Sequence, residues 1–159
     1  MRSRMSTVKI FVADTRHAHV FEMPSPTGTL RKITTFENPY TGKHERDLGA
    51  DAPGRQMSRA AGGRRVTALQ GRTTLKQHAT ELFVKLLARS VSAEARTAGV
   101  KGVVLVASPK LMSLLEAQLP KTVQKRVVAQ IRRDLVDVPR LDLQKRVKTA
   151  VQKAALSAL

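Results

Sequence analysis

Several short groups of residues carry side chains able to do chemistry. Asp14 ends an apolar run and Glu81 lies in a helical stretch. Clustered carboxylates of this kind hold the ions of a two-metal nuclease. The buried run that would complete such a centre ends in Ala107-Ser108 and offers no acid. Asp14 therefore reads as a turn residue that caps its strand. His17 and His19 alternate along an extended segment and share one face, but zinc takes three or four ligands. No acidic partner stands at ligand spacing, so both read as solvated or hydrogen-bonded surface histidines. His44-Glu45-Arg46-Asp47 contains a possible acid/base pair, and a local salt-bridged turn explains it more simply. Ser108 lies in Ala-Ser-Pro, without a nucleophile elbow. There is no Gly-Lys-Ser or Gly-Lys-Thr of a phosphate loop. Cysteine is absent, which excludes disulfides, thiolate metal sites and cysteine nucleophiles. No metal, cofactor or complete catalytic constellation is expected, and the chain reads first as a binding protein.

Charge points to the partner. Twenty-nine Lys and Arg face twelve Asp and Glu, a formal net charge of +17. Such an excess repels itself, and a polyanion both relieves the repulsion and gains by releasing condensed counterions. Nucleic acid is the first candidate and an acidic membrane surface the second. Aromatic residues are 3% of the chain, too few for the stacking platforms that grip unpaired bases. Phosphate contacts with structured RNA fit better than readout of base sequence. No segment has the roughly 18 apolar residues of a membrane span, and none reads as a signal peptide, so an integral membrane protein is excluded and a cytoplasmic location is expected.

The elements that must position these groups follow from periodicity. Val8–Ala13, His17–Met23 and Leu30–Phe36 read as strands joined by turns at Asp14-Thr15-Arg16 and Pro24–Gly28, an antiparallel meander. Residues 37–73 show no sustained period and carry many glycines, so they read as one long basic loop. From Ala52 to Thr80 there are six basic residues and no acidic one, which suits an anion-binding arm. Thr74 and Gln77 fit a capping box. Leu75, Ala79, Leu82, Phe83, Leu86 and Leu87 then form a helical stripe, with Gly99 as the left-handed cap. Gly102–Ala107 is an unbroken apolar run, a strand buried on both faces. Ser108-Pro109 starts a helix with Leu111, Leu114, Leu115 and Leu119 inside, and Pro120 stops it. Val127–Leu135 alternates as a last strand, and Leu143, Val147 and Val151 mark a last helix. Lys121 to Lys153 adds ten basic residues against three acidic ones. The order β-β-β-α-β-α-β-α predicts one α/β domain over 1–159, a ribonuclease H-like mixed sheet with a long loop before the first helix.

At this point the residues resemble a known group. Val12-Ala13-Asp14, His44-Glu45-Arg46-Asp47-Leu48, Asp51-Ala52-Pro53-Gly54-Arg55, Ala61-Gly62-Gly63-Arg64-Arg65, Lys76-Gln77-His78 and Val104–Lys110 look like the bacterial host attachment protein family. That family is similar to the middle domain of archaeal and eukaryotic peptide-chain release factors. There a long loop carries Gly-Gly-Gln into the ribosomal peptidyl-transferase centre. Gly62-Gly63 matches the place, with Arg64 where glutamine would stand. Arginine attracts phosphate but has no acceptor for a proton from water. The resemblance therefore implies docking onto ribosomal RNA or tRNA without strong hydrolase activity. The residues expected to meet RNA are Lys43, His44, Arg46, Arg55, Arg59, Gly62, Gly63, Arg64, Arg65, Arg72 and Lys76. Two alternatives stand beside this: a surface protein that binds acidic polysaccharide or lipid, and a peptidyl-tRNA hydrolase using Gly-Gly-Arg.

Overall fold

The computed structural model describes residues 6–24, 28–41 and 64–157, with side chains in the last stretch from Thr74 onward. Its strands are β1 (Thr7–Ala13), β2 (His17–Pro24), β3 (Arg31–Glu37), β4 (Val100–Val106) and β5 (Val127–Ile131). Its helices are α1 (Arg64–Ala95), α2 (Pro109–Gln118), α3 (Lys121–Gln124) and α4 (Arg140–Ser157). One five-stranded mixed sheet runs in the order β3-β2-β1-β4-β5. β1 pairs antiparallel with β2, and β2 with β3, while β4 runs parallel to both β1 and β5. Among the described residues no helix is long and apolar enough to cross a membrane.

Two cores form, one on each face of the sheet. Phe11, Ala13, Ala18 and Val20 pack with Phe83, Leu87 and Val91 of α1, and with Leu111, Met112 and Leu115 of α2. On the other face Ile10, Val12, Phe21 and Met23 pack with Leu30, Leu135, Val136 and with Leu143 and Val147 of α4. β4 contributes Val103 and Leu105 to the first core and Val104 and Val106 to the second, which is why the sequence from Gly102 to Ala107 is apolar without interruption. β2 divides in the same way, with Ala18 and Val20 in the first core and Phe21 and Met23 in the second. Across the α1 face runs a row of charges. Lys9 Nζ of β1 lies 3.2 Å from Glu22 Oε2 of β2 and 3.6 Å from Glu94 Oε2 of α1. Arg31 Nη2 of β3 donates to the other oxygen of Glu22. Burial raises the Glu22 carboxyl pKa, and the bonds from Lys9 and Arg31 outweigh it, so the group stays below the usual carboxylate range.

Four expectations need correction. The first helix begins at Arg64 rather than Thr74, so residues 64–73 belong to α1 and not to a loop. Gly71 looks like a breaker, yet a single helical glycine costs only about 1 kcal/mol relative to alanine. Its neighbours Ala68, Leu69, Gln70 and Arg72 are good helix formers. The buried stripe of α1 runs through Ala79, Phe83, Val84, Leu87, Ala88, Val91 and Ala95, while Leu75, Leu82 and Leu86 sit half-buried at its margin. The short helix α3 separates Pro120 from β5, because Pro120 ends one helix and caps the next. β5 stops at Ile131, and Arg132 turns out to bond Glu116 of α2 at 3.1 Å.

Gly99 has φ of 86°, as the left-handed cap requires, although α1 itself ends four residues earlier at Ala95. Gly102 answers a different demand. A Cβ there would collide with Val128 Cγ1 and come within 3.1 Å of the Arg126 carbonyl, because β4 and β5 approach closely. Gly102→Ala is expected to lower unfolding stability by about 1–3 kcal/mol through overpacking. Adding Val128→Ala should recover part of that loss, and urea denaturation of the single and double variants measures the coupling.

Candidate functional site

The carboxyl ends of β1 and β4 lie side by side, and the chain leaves them toward opposite edges of the sheet. In open α/β sheets this is where ligands bind. After β1 the chain turns at once. Asp14 Oδ1 accepts from the backbone N–H of Arg16 and of His17, each at 2.7 Å, so its carboxylate is spent on the turn. This is the capping role expected of it, and the turn leaves Thr15 and Arg16 exposed. After β4 the chain enters α2. Ser108 Oγ accepts from the Leu111 N–H at 3.4 Å and Pro109 sits in the first turn, as its position in the sequence suggests.

Asn38 binds these parts together. It is the buried polar residue of the described core, 3% exposed. Its Nδ2 donates to the carbonyls of Thr15 at 2.9 Å and Ala79 at 3.3 Å. Its Oδ1 accepts from the Tyr40 N–H at 2.9 Å. One side chain thus ties the β1–β2 turn, the exit of β3 and helix α1.

Between these elements lie two adjoining hollows. One, of about 490 Å³, is lined by Thr15, Arg16, Thr41, Leu75, Lys76, Ala79 and Thr80. The other, of about 540 Å³, is lined by Thr15, Lys76, Gln77, Thr80, Glu81, Ser108, Lys110, Leu111 and Leu114. Thr15, Lys76 and Thr80 belong to both. Among the described residues no carboxylate lies within ion-pair distance of Arg16, Lys76 or Lys110. Glu81 is the acid in the wall, and Asp14 is engaged in its turn. No group of three or more His, Asp or Glu able to hold a metal occurs among the described residues.

A family model for proteins required for attachment to host cells matches residues 9–147. The chain belongs to that family. The match runs from the third residue of β1 through β5 and the hollows into the first half of α4. No curated protein matches the chain.

Of the residues expected to contact a ligand, Lys76 lies in both hollows of this family member. Arg64, Arg65 and Arg72 are helical positions of α1, not loop positions, and 65, 72 and 76 fall on one face at helical spacing. Lys43, His44, Arg46, Arg55, Arg59, Gly62 and Gly63 lie outside the described residues. Sequence reasoning overlooked Arg16, Asn38, Thr80 and Lys110. The signals were present: Asn38 precedes Pro39, a turn former, and Lys110 follows Ser108-Pro109 at the end of a buried strand.

His17 and His19 do share a face, with ring centroids 5.2 Å apart. His19 Nδ1 lies 2.8 Å from Thr35 Oγ1. Its pKa falls below 6.5, first because burial disfavours the imidazolium and then because Lys32 and His17 repel it. The unfolded chain therefore takes up this proton first. Stability is complete above pH 6.5 and falls as the pH drops from there through the folded value. Melting temperatures measured between pH 7.5 and 5.5 should decline for the wild type and flatten for His19→Gln. Asn38→Ala should cost about 1–3 kcal/mol in denaturant titration, the range for stripping partners from buried polar groups.

Proposed function

We propose that this host attachment family member acts by binding a polyanion, an acidic polysaccharide, through the exposed cations of its helices. The observation that carries the reading is the imbalance of charge. The chain holds +17, and among the described Lys and Arg only Lys9, Arg31 and Arg132 enter ion pairs. Lys85 and Arg89 of α1, Lys121 of α3, Lys145 and Arg146 of α4 and the neighbouring Arg133 are exposed. Charges left unpaired on this scale favour association with a polymer of opposite sign and weaken the folded state without one. The family description supplies the setting, attachment to host cells.

A second reading has its own support. Its support is coarse: a five-stranded mixed sheet with helices, carrying a short α3 that the expected ribonuclease H-like order lacks. A sheet of that kind is compatible with a release-factor middle domain, and docking on ribosomal RNA or tRNA in the cytoplasm would follow from that likeness. Arg64 and Arg65 would then enter RNA at the start of α1. A Gly-Gly-Arg hydrolase finds no support in the acceptor-free guanidinium of Arg64.

Fluorescence anisotropy with a labelled sulfated oligosaccharide and a labelled ribosomal RNA fragment, each from 50 to 300 mM salt, tests both readings. The polysaccharide should bind saturably, with log affinity falling linearly in log salt. RNA binding alone, with a slope of about 0.7–0.9 per phosphate, would transfer the case to the second reading. Binding of neither at the lowest salt would overturn the polyanion reading.

A further inference from the structure

The paired hollows at the carboxyl ends of β1 and β4 ask for a ligand smaller than a polymer. Each falls within the roughly 300–1,000 Å³ of small-molecule sites. Their walls divide by chemistry. The shared centre presents the Lys76 ammonium beside the hydroxyls of Thr15 and Thr80. Lys110 and the Ser108 hydroxyl face one hollow and Arg16 the other. Beyond them lie apolar surfaces, with Leu111 and Leu114 in the larger hollow and Leu75 and Ala79 in the smaller.

We propose that this cleft binds a nucleoside phosphate. The phosphoryl group would lie at the shared centre, taking charge-assisted hydrogen bonds from Lys76 and Lys110 and a further bond from Thr15, while the Thr80 hydroxyl donates to the Lys76 carbonyl at 3.0 Å. The base would lie on the half-buried Leu114, which offers an apolar wall and no ring to stack on, with Leu111 behind it in the core. Glu81, which opposes a bare anion, becomes useful here, because its carboxylate can accept from a ribose hydroxyl. Asn38 fixes the width of the site by holding the Thr15 and Ala79 carbonyls on one amide. The binding is independent of the polyanion reading, which draws on cations spread over several helices.

Isothermal titration of the full chain with adenosine 5′-monophosphate tests the assignment. Saturable one-to-one binding is expected, with adenosine at least about tenfold weaker. Lys76→Gln and Lys110→Gln should each weaken it about tenfold, the loss of one hydrogen bond to a charged group. Both lysines are exposed, so an unchanged melting temperature will show the variants folded. Lys101→Gln, exposed on β4 away from the cleft lining, should leave the affinity unchanged. Repeating the titration with a short RNA carrying or lacking a 5′-phosphate names the source. Phosphate-dependent RNA binding supports a nucleic-acid end, and binding of the mononucleotide alone supports a free nucleotide. No saturable binding, equal binding of adenosine, or an equal loss in Lys101→Gln would overturn the proposal. A chain that still binds sulfated oligosaccharide in that event keeps the polyanion reading intact.

Discussion

From Gly102 onward, strand β4 has no face left for water. Val103 to Ala107 are at most 1% exposed, walled by α1 and α2 on one side and by α4 with Leu135 and Val136 on the other. A strand in that position must satisfy its backbone through neighbours, and β4 does so by running parallel to β1 and to β5. Parallel pairing forces a crossover, which here is the long helix α1. It also brings the carboxyl ends of β1 and β4 together. The cleft, the Asp14 turn and the start of α2 all follow from that one pairing.

Asn38 and the row Arg31–Glu22–Lys9–Glu94 show how the remaining polarity is handled near the core. Asn38, Lys9 and Glu22 each meet a partner on a neighbouring element, so strand register and helix position are fixed together. Outside, the treatment of charge is the reverse. Most described lysines and arginines face solvent without a carboxylate, and the repulsion among them opposes folding. A fold that balances its inner charges and leaves its outer ones unbalanced is suited to an anionic partner.

What could be read in advance divides along physical lines. Burial patterns were legible: the unbroken Gly102–Ala107 run, the two faces of His17–Met23 and the Ser108-Pro109 helix start all state their environment in local residue types. The start of α1 was not legible, since Gly71 and the Thr74/Gln77 box imitate a boundary, and one helical glycine costs too little to end the helix there. The cleft was only half legible. Lys76 stood out within a run free of acids, but Arg16, Thr80 and Lys110 come together through the β1–β4 pairing. Asn38 acts on carbonyls of residues 15 and 79, and nothing in the sequence around it announces either partner.

If the outer charge exists to meet an anion, the folded chain is under electrostatic strain when alone. The most direct measurement is the melting temperature at low ionic strength, with and without a sulfated polysaccharide. The account predicts a clear rise on addition, which fades as simple salt is raised and the polymer is displaced. A melting temperature that stays the same or falls at low ionic strength would contradict it.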